Sequence, residues 1–378
     1  MPREKIIENH ETQESPPADP SNASSPKTAD QQATSADPVT SENPAESTAG
    51  GNRDEDRSLR PKIMQEMVGQ SDVKEQLRIV VDAARRRDEA LSHVLFDGPP
   101  GLGKTTFAMA IPNELGVPVE FASGPSLKAP KDLVPYLTNA QEKSVLFIDE
   151  IHRVPKAVEE YLYTAMEDYR IDMVLGEGVN ARTYSYKLNP FTLIGATTRA
   201  GMLSAPLRDR FPIRHHLDFY ELGELKEILL KNAAKLGIRI DDAAADELSR
   251  RSRGTPRIAI NRLLWVRDYA ESRADGHIRL EVALAAMEMA DIDALGLDKQ
   301  DRHYLETLIR VFGGGPAGVE AIAHTMNGAV DTIEEEVEPY LLRMNLLVRT
   351  PRGRKATTKA FEHMGVSEPS AEDRGNLF

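Results

Sequence analysis

Between residues 71 and 220, short apolar runs alternate with stretches of helical periodicity. Val73, Leu77, Val80 and Val81 recur at three- and four-residue spacing behind Ser71, which predicts an amphipathic helix with that serine as its N-cap. Val94 to Asp97 reads as a short buried strand ending at a glycine-rich turn, and Val117 to Phe121, Val145 to Asp149 and Phe191 to Ala196 repeat the strand pattern with helical segments between them. Parallel strands need such crossovers, so the expected class is α/β with a mostly parallel sheet. One stretch departs from the pattern. In Ile171 to Leu188 apolar residues alternate at Ile171, Met173 and Leu175, Gly176 and Gly178 supply a turn, and Tyr184, Tyr186 and Leu188 alternate back, predicting a β-hairpin.

After Tyr220 helical periodicity takes over, in Glu224 to Leu236, Ala243 to Ser252, Pro256 to Glu271 and Leu280 to Ala290, which predicts a small all-helical domain. A third region begins near Asp293 with a helix through Phe312, the loop Gly313 to Pro316, a short helix near Ala321 and another over Thr332 to Met344. Leu346 to Thr358 then reads as strand, Pro-Arg-Gly turn, strand, and three helices closed by a hairpin outline a winged-helix module. The expected divisions are a leader over 1–58, a large domain over 59–220, a helical domain over 221–292 and the winged helix over 293–378.

Composition narrows the class. The 378 residues are 40% hydrophobic and 28% charged, and no apolar stretch approaches the roughly 18 residues of a membrane span. With no cysteine, disulfides, thiolate metal sites and cysteine nucleophiles are excluded. The leader has twelve acidic against five basic residues and seven of the 24 prolines, so it carries −7 of the −13 net charge and is expected to be a disordered tail. It has no export-signal pattern, which makes the cytoplasm the expected location. Because the acidic excess is concentrated there, the overall charge does not argue against a local DNA-binding face.

The chemistry begins at Gly98-Pro-Pro-Gly-Leu-Gly103-Lys104-Thr105, a phosphate-loop pattern placed after a strand and opening a helix. Glycines let backbone N–H groups wrap phosphates, Lys104 reaches the terminal phosphates and the Thr105 hydroxyl can ligate Mg²⁺. Val145 to Glu150 is a strand delivering two carboxylates at its C-terminal end, Asp149 for the Mg²⁺ shell and Glu150 to orient or deprotonate a water. No G-x-G-x-x-G fingerprint occupies the turn, which removes a dehydrogenase. Phe191 to Thr198 ends in two hydroxyls that fit either a γ-phosphate contact or a plain strand cap. Arg208 and Arg210 follow, and the spacing of Arg210 fits either a surface ion pair with Asp209 or a finger reaching a neighbouring subunit's nucleotide. Arg257, behind Pro256 at a helix start, sits unfavourably for the helix dipole unless an anion lies nearby.

Taken together, the phosphate loop, Asp149-Glu-Ile-His152, Gly195-Ala-Thr-Thr-Arg-Ala-Gly201, Pro206-Leu-Arg-Asp-Arg-Phe211 and Gly254-Thr-Pro-Arg257 resemble the AAA+ ATPases, and within them the RuvB family of branch-migration motors, from about Leu59 to His363. The resemblance implies an AAA+ phosphate-loop domain, a helical lid and a winged helix, with ATP and Mg²⁺ as cofactors and Thr105 and Asp149 on the metal. It makes Thr198 the first sensor, Arg210 the trans-acting finger and Arg257 the second sensor. It also puts Leu59, Arg60, Gly101, Gly103, Lys104, Thr105, Thr106, Glu167, Asp168, Tyr169 and Tyr220 among the nucleotide contacts. A hexameric ring on the double-stranded arms of Holliday junctions, RuvA bound through hairpin 171–188 and RuvC in the resolving complex follow as its implied assembly, with no membrane partner.

From sequence alone the hairpin fits equally a buried element or an exposed patch of Met173, Leu175 and Tyr186. In the terminal module Arg343, Arg349, Arg352, Arg354, Lys355 and Lys359 fall within seventeen residues lacking any acid, which suits phosphate contact. The resemblance places Arg349 and Arg354, with Arg352 and Lys355 beside them, on DNA. It also exposes two departures, Val330 where an arginine is common and Trp265, which reads as a core residue. Rival readings are a protein-remodelling AAA+ ATPase, disfavoured by the lack of an aromatic-Val-Gly pore loop, and a clamp-loader-like switch.

Overall fold

The computed structural model describes Leu59–Leu175 and Arg182–Glu368, with the side chains of Val174 and Leu175 left aside. The leader, the Gly176 and Gly178 turn and the last ten residues fall outside the described residues.

Five parallel strands form the first sheet, in the order β2 (Val119–Ser123), β3 (Val145–Asp149), β6 (Thr192–Thr197), β1 (Val94–Asp97), β7 (Ile213–His216). Its three central strands, β3, β6 and β1, are buried on both faces because helices cover both. Val94, Phe96, Val145, Phe147, Ile194 and Ala196 pack on one side with the helix Lys104–Leu115. The alternate residues Leu95, Leu146, Ile148 and Leu193 pack on the other, against helices Pro130–Thr138 and Lys156–Asp168. β1 and β3 run as the sequence predicts, whereas β2 and β6 are shifted towards their C-terminal ends, where Ser123 and Thr197 complete the ladders. Helix Ser71–Arg87 starts after Gln70 in the left-handed region, and no side chain caps it, Ser71 included.

The core facing helix Lys104–Leu115 continues without a break into the helices Leu222–Lys235, Asp242–Arg250, Pro256–Arg273 and Leu280–Met289. This region is helical apart from a two-residue parallel pairing of β8 (Arg239–Ile240) with β9 (His277–Ile278). Trp265 is not a core residue: it is 39% exposed, its ring N–H donating to the Ala286 carbonyl at 2.8 Å.

The C-terminal module has a core of its own around Tyr304, Leu308, Leu341 and Phe361. Helix Lys299–Glu306 runs into a wide turn at Thr307–Val311, followed by helix Val319–Thr325 and a helical run over residues 330–343. β10 (Leu347–Thr350) and β11 (Gly353–Ala356) then pair antiparallel as the wing, and helix Thr358–His363 closes it. Gly353 has φ 130°, and a Cβ there would stand 2.4 Å from the Ala317 carbonyl oxygen, so only glycine fits the turn. Val330, at the start of the run, packs partly against this core.

Candidate functional site: a nucleotide pocket beneath the lid and a charged wing

β3, β6 and β1 are adjacent and parallel, so their C-terminal ends lie side by side on one edge of the sheet. That topology gathers Asp149, Glu150, Thr198 and the phosphate loop into one site from segments about fifty residues apart in sequence. Gly101 and Gly103 take φ values of 79° and 101°, and helix Lys104–Leu115 begins at Gly103 with no side chain capping its first turn. Backbone N–H groups of that turn therefore face the loop as anion donors. Lys104 is buried, its ammonium donating to the Gly98 and Pro99 carbonyls at 2.7 and 2.8 Å. Burial pulls its pKa below the ordinary lysine value, against the opposing pull of Glu150, Asp149 and Asp97.

Glu150 stands at φ 49°, where the chain leaves β3 for the short turn Ile151–Arg153. Its Oε2 accepts the Thr198 hydroxyl at 3.2 Å and lies 3.2 Å from Nδ1 of His152. Burial, and then the neighbouring Asp149, push its pKa up, the direction suited to a base that must take a proton. Thr197 turns inward and is fully buried, its hydroxyl 2.8 Å from His152 Nδ1; only Thr198 of the pair reaches Glu150.

The lid closes over this edge at two points. Arg257 N–H approaches the Gly101 carbonyl at 3.4 Å, and Tyr220 N–H donates to the Gly254 carbonyl at 2.9 Å. The Arg257 side chain is exposed above the loop. Tyr220 is buried, with its hydroxyl donating to the Leu102 carbonyl, and Leu59 is buried with its carbonyl accepting from Lys235. Arg60 is half-buried next to it, and Thr105 and Thr106 are half-buried in the first turn after Lys104.

Arg210 is not at its own chain's phosphate loop. Its guanidinium lies 4.6 Å from the Tyr163 ring centre, pairs with Glu167 at 2.9 Å and donates to the Pro206 carbonyl at 2.8 Å. Asp209 instead approaches Arg214. The contacts of Glu167, Asp168 and Tyr169 lie on this side of the molecule: Asp168 pairs with Arg170, and the Tyr169 ring meets Phe191 edge-on. The hairpin next to them pairs β4 (Arg170–Leu175) with β5 (Arg182–Lys187). On one of its faces Ile171 is buried, Met173 half-buried, and Tyr184 and Tyr186 are 51% and 45% exposed. Of the patch expected from sequence, Met173 is half-buried and Tyr186 exposed, while the Leu175 side chain lies outside the described residues.

The wing arginines are less free than their acid-free sequence window suggests. Glu338, fully buried, accepts from Arg349 at 2.5 Å, from Arg354 at 2.8 Å and from the Tyr304 hydroxyl at 2.9 Å. Arg354 also pairs with Glu334 at 2.7 Å. The acids come from the preceding helical run, outside the seventeen-residue window. Arg352 is exposed at the turn, Lys355 is half-buried, and Arg343 lies over the Phe219 ring at 4.4 Å.

The same helical run reaches back to the first domain. Arg199, next to Thr198, pairs with Glu335 at 2.7 Å and Asp331 at 3.1 Å, and Glu334 lies 3.9 Å away. Gly98, Pro99, Thr198, Arg199, Glu334 and Glu335 line one cavity. Arg199 and these acids do not stand out as site residues by spacing; of the residues around Glu150 only His152, in Asp-Glu-Ile-His, offers a signal.

Comparison with known proteins decides the family. Residues 59–217 match the Holliday junction DNA helicase RuvB P-loop domain, 220–293 the RuvB AAA lid domain and 294–365 the RuvB C-terminal winged helix domain. The chain belongs to the RuvB family. It is 66% identical over 316 residues to the Holliday junction branch migration complex subunit RuvB of Rhodopirellula baltica, covering 84% of this chain and 86% of that one. Among solved structures it is similar to the Thermotoga maritima RuvB Holliday junction branch migration motor, at 46% identity and TM-score 0.76, covering 82% of this chain and 99% of the other. A single-residue variant of that RuvB matches at 47% identity, TM-score 0.77, with 82% and 100% covered. As a RuvB-family protein the chain thus combines a P-loop ATPase domain with its parallel sheet, an AAA lid and a winged helix. Among the described residues no helix is long and apolar enough to cross a membrane.

Proposed function

We propose that this chain is an ATP-driven double-stranded DNA translocase that moves Holliday junctions during recombination and repair in the cytoplasm. It works as a hexameric ring with RuvA docked on hairpin 171–188 and RuvC joining the resolving complex. The observation that carries the reading is the separation of the catalytic parts. Lys104, Asp149, Glu150 and Thr198 gather at one sheet edge, while Arg210 is held elsewhere by Tyr163 and Glu167. A cation stored away from its own phosphates suits donation to the next subunit, where such fingers raise rates by around 10³ to 10⁵.

In this reading the phosphate-loop N–H groups and Lys104 hold the β- and γ-phosphates, Leu59, Arg60 and Tyr220 border the nucleoside, and Arg257 brings the lid to the γ-phosphate. The donor set fits Mg²⁺. Among the described residues no three acids or histidines form a metal cage, and a hard cation held by the Thr105 hydroxyl, Asp149 and phosphate oxygens needs none; bound there, it would neutralise charge on the transferring phosphoryl group. Glu150 takes the proton of the attacking water while Thr198 holds its carboxylate. Glu167, Asp168 and Tyr169, on the Arg210 side, contact the nucleotide of the adjoining subunit. The exposed face of Tyr184 and Tyr186 supports the RuvA assignment, since exposed aromatic rings mark partner surfaces. Arg349, Arg352, Arg354 and Lys355 meet DNA phosphates, a contact blind to base identity and so fit for a motor crossing any sequence.

The deciding test is migration of a synthetic four-way junction, with ATP, with and without RuvA, alongside ATPase rate against protein concentration. Junction movement requiring hydrolysis, with specific activity rising as the protein assembles, is the expected result. ATP turnover that DNA does not stimulate would favour the remodelling ATPase instead.

A further inference from the structure

His152 touches the proposed base, and neither the family signature nor the phosphate-loop logic gives it a task. Its side chain is 4% exposed, in the turn that follows Glu150. Nδ1 is 2.8 Å from the Thr197 hydroxyl oxygen and 3.2 Å from Glu150 Oε2. The Thr197 oxygen already accepts the Arg199 N–H at 3.0 Å, and Glu150 Oε2 already accepts the Thr198 hydroxyl.

We propose that His152 is a positioning residue for ATP hydrolysis: carrying its proton on Nδ1, it donates to Glu150 Oε2 and, with Thr198, pins that oxygen so that Oε1 remains to take the proton of the attacking water.

In this proposal His152 is the Nδ1–H tautomer, although the Thr197 hydroxyl at 2.8 Å could also donate to a bare Nδ1. A bare Nδ1 lone pair facing a carboxylate oxygen at 3.2 Å would be repulsive, whereas Nδ1–H makes a donor shared between Glu150 and Thr197, whose hydroxyl oxygen has a second lone pair free of the Arg199 N–H. Two donors on one carboxylate oxygen also stop the side chain from rotating to exchange its oxygens, and that rotation would remove the base from line. Charge matters equally. Burial first, and then Arg199 and Arg153, lower the His152 pKa to about 4, so the ring is neutral near pH 7.

The inference rests on Glu150 being the base, so the full-length Glu150→Gln variant is measured first: near-wild-type ATP turnover would remove the base assignment itself, whatever His152 does. With that variant inactive, three His152 variants decide the question through DNA-stimulated kcat, KM for ATP and affinity for a non-hydrolysable ATP analogue. In His152→Asn the amide nitrogen falls at the Nδ1 position, and kcat should stay within about threefold of wild type. In His152→Gln the amide reaches the Nε2 position instead, and in His152→Leu the donor is gone. Both should lose roughly ten- to a hundredfold in kcat with analogue affinity changed less than about twofold, since the defect lies in positioning and not in binding. Wild-type kcat in the Gln variant, or an Asn variant as slow as the Gln variant, overturns the proposal. The Asn and Gln variants carry the same amide at different reach, so they remain decisive if His152→Leu does not fold.

Discussion

Arg199 Nε and Glu335 Oε1 lie 2.7 Å apart, joining the residue after Thr198 to the winged helix. Asp331 shares the same guanidinium, and Glu334 lies between Arg199 and the wing residue Arg354. One acidic helical run thus faces a cation at the nucleotide pocket through Asp331 and Glu335 and the wing arginines through Glu338, with Glu334 shared between them. Glu335 also stands close enough to Lys104 and Glu150 to act on both electrostatically. Removing its charge should favour a polyanion in the pocket. Glu335→Gln is expected to tighten nucleotide binding about two- to fivefold at low ionic strength, shrinking as salt screens the pocket. Titration with a fluorescent ATP analogue at two salt concentrations checks both parts.

Lys104→Ala should abolish nucleotide binding, whereas Arg210→Ala should bind normally and fail to turn over. Mixing separates a trans finger from a local one. Arg210→Ala and Glu150→Gln proteins are each inactive alone, yet a random equal mixture should recover about a quarter of wild-type ATPase activity, because one seam in four joins an intact base to an intact finger. No recovery on mixing would place the finger's role within its own chain.

The buried His152 sets a pH dependence. Its folded-state pKa, about 4, lies below the ordinary histidine value of 6.5, so the unfolded chain binds the proton more readily. Its contribution to stability is complete above pH 6.5 and is lost as pH falls towards 4. Thermal unfolding from pH 7.5 to 4.5 should show a steeper fall for wild type than for His152→Asn, which has no proton to take up in that range. Parallel curves would contradict the assignment.

The wing arginines should divide into two kinds. Arg354→Ala leaves the buried Glu338 short of a partner and should lower stability by about 3 kcal/mol, read as a fall in Tm. Arg352→Ala, at an exposed position, should leave Tm unchanged, weaken binding to duplexes of any sequence and flatten the logarithmic salt dependence by about one unit. Equal Tm losses in the two variants would refute the division.

How far the sequence reaches differs by element for physical reasons. β1 and β3 are legible to the residue because apolar runs stop abruptly at a glycine turn or at acids. β2 and β6 run past their apolar stretches because Ser and Thr pair in a ladder as well as aliphatic residues do, and burial hides that from a hydropathy pattern. The phosphate loop is visible because its function is local. Glu338 under the wing and His152 against Glu150 are not, since each is defined by contacts across a turn or between elements. Trp265 misleads for the opposite reason, its large ring half-covered on a helix whose core face is filled by Leu263 and Val266.

If Arg210 serves the adjoining subunit's nucleotide as proposed, the cradle of Tyr163 and Glu167 gives it somewhere to return to. A cation lent across a seam must leave a carboxylate for something more negative, and a triphosphate offers that while an empty pocket does not. On that proposal, departure of the cleaved phosphate would leave Glu167 as the stronger partner for Arg210. On the proposed trans role, the grip between neighbours would then release by default, and the seam would rearm each time nucleotide arrives.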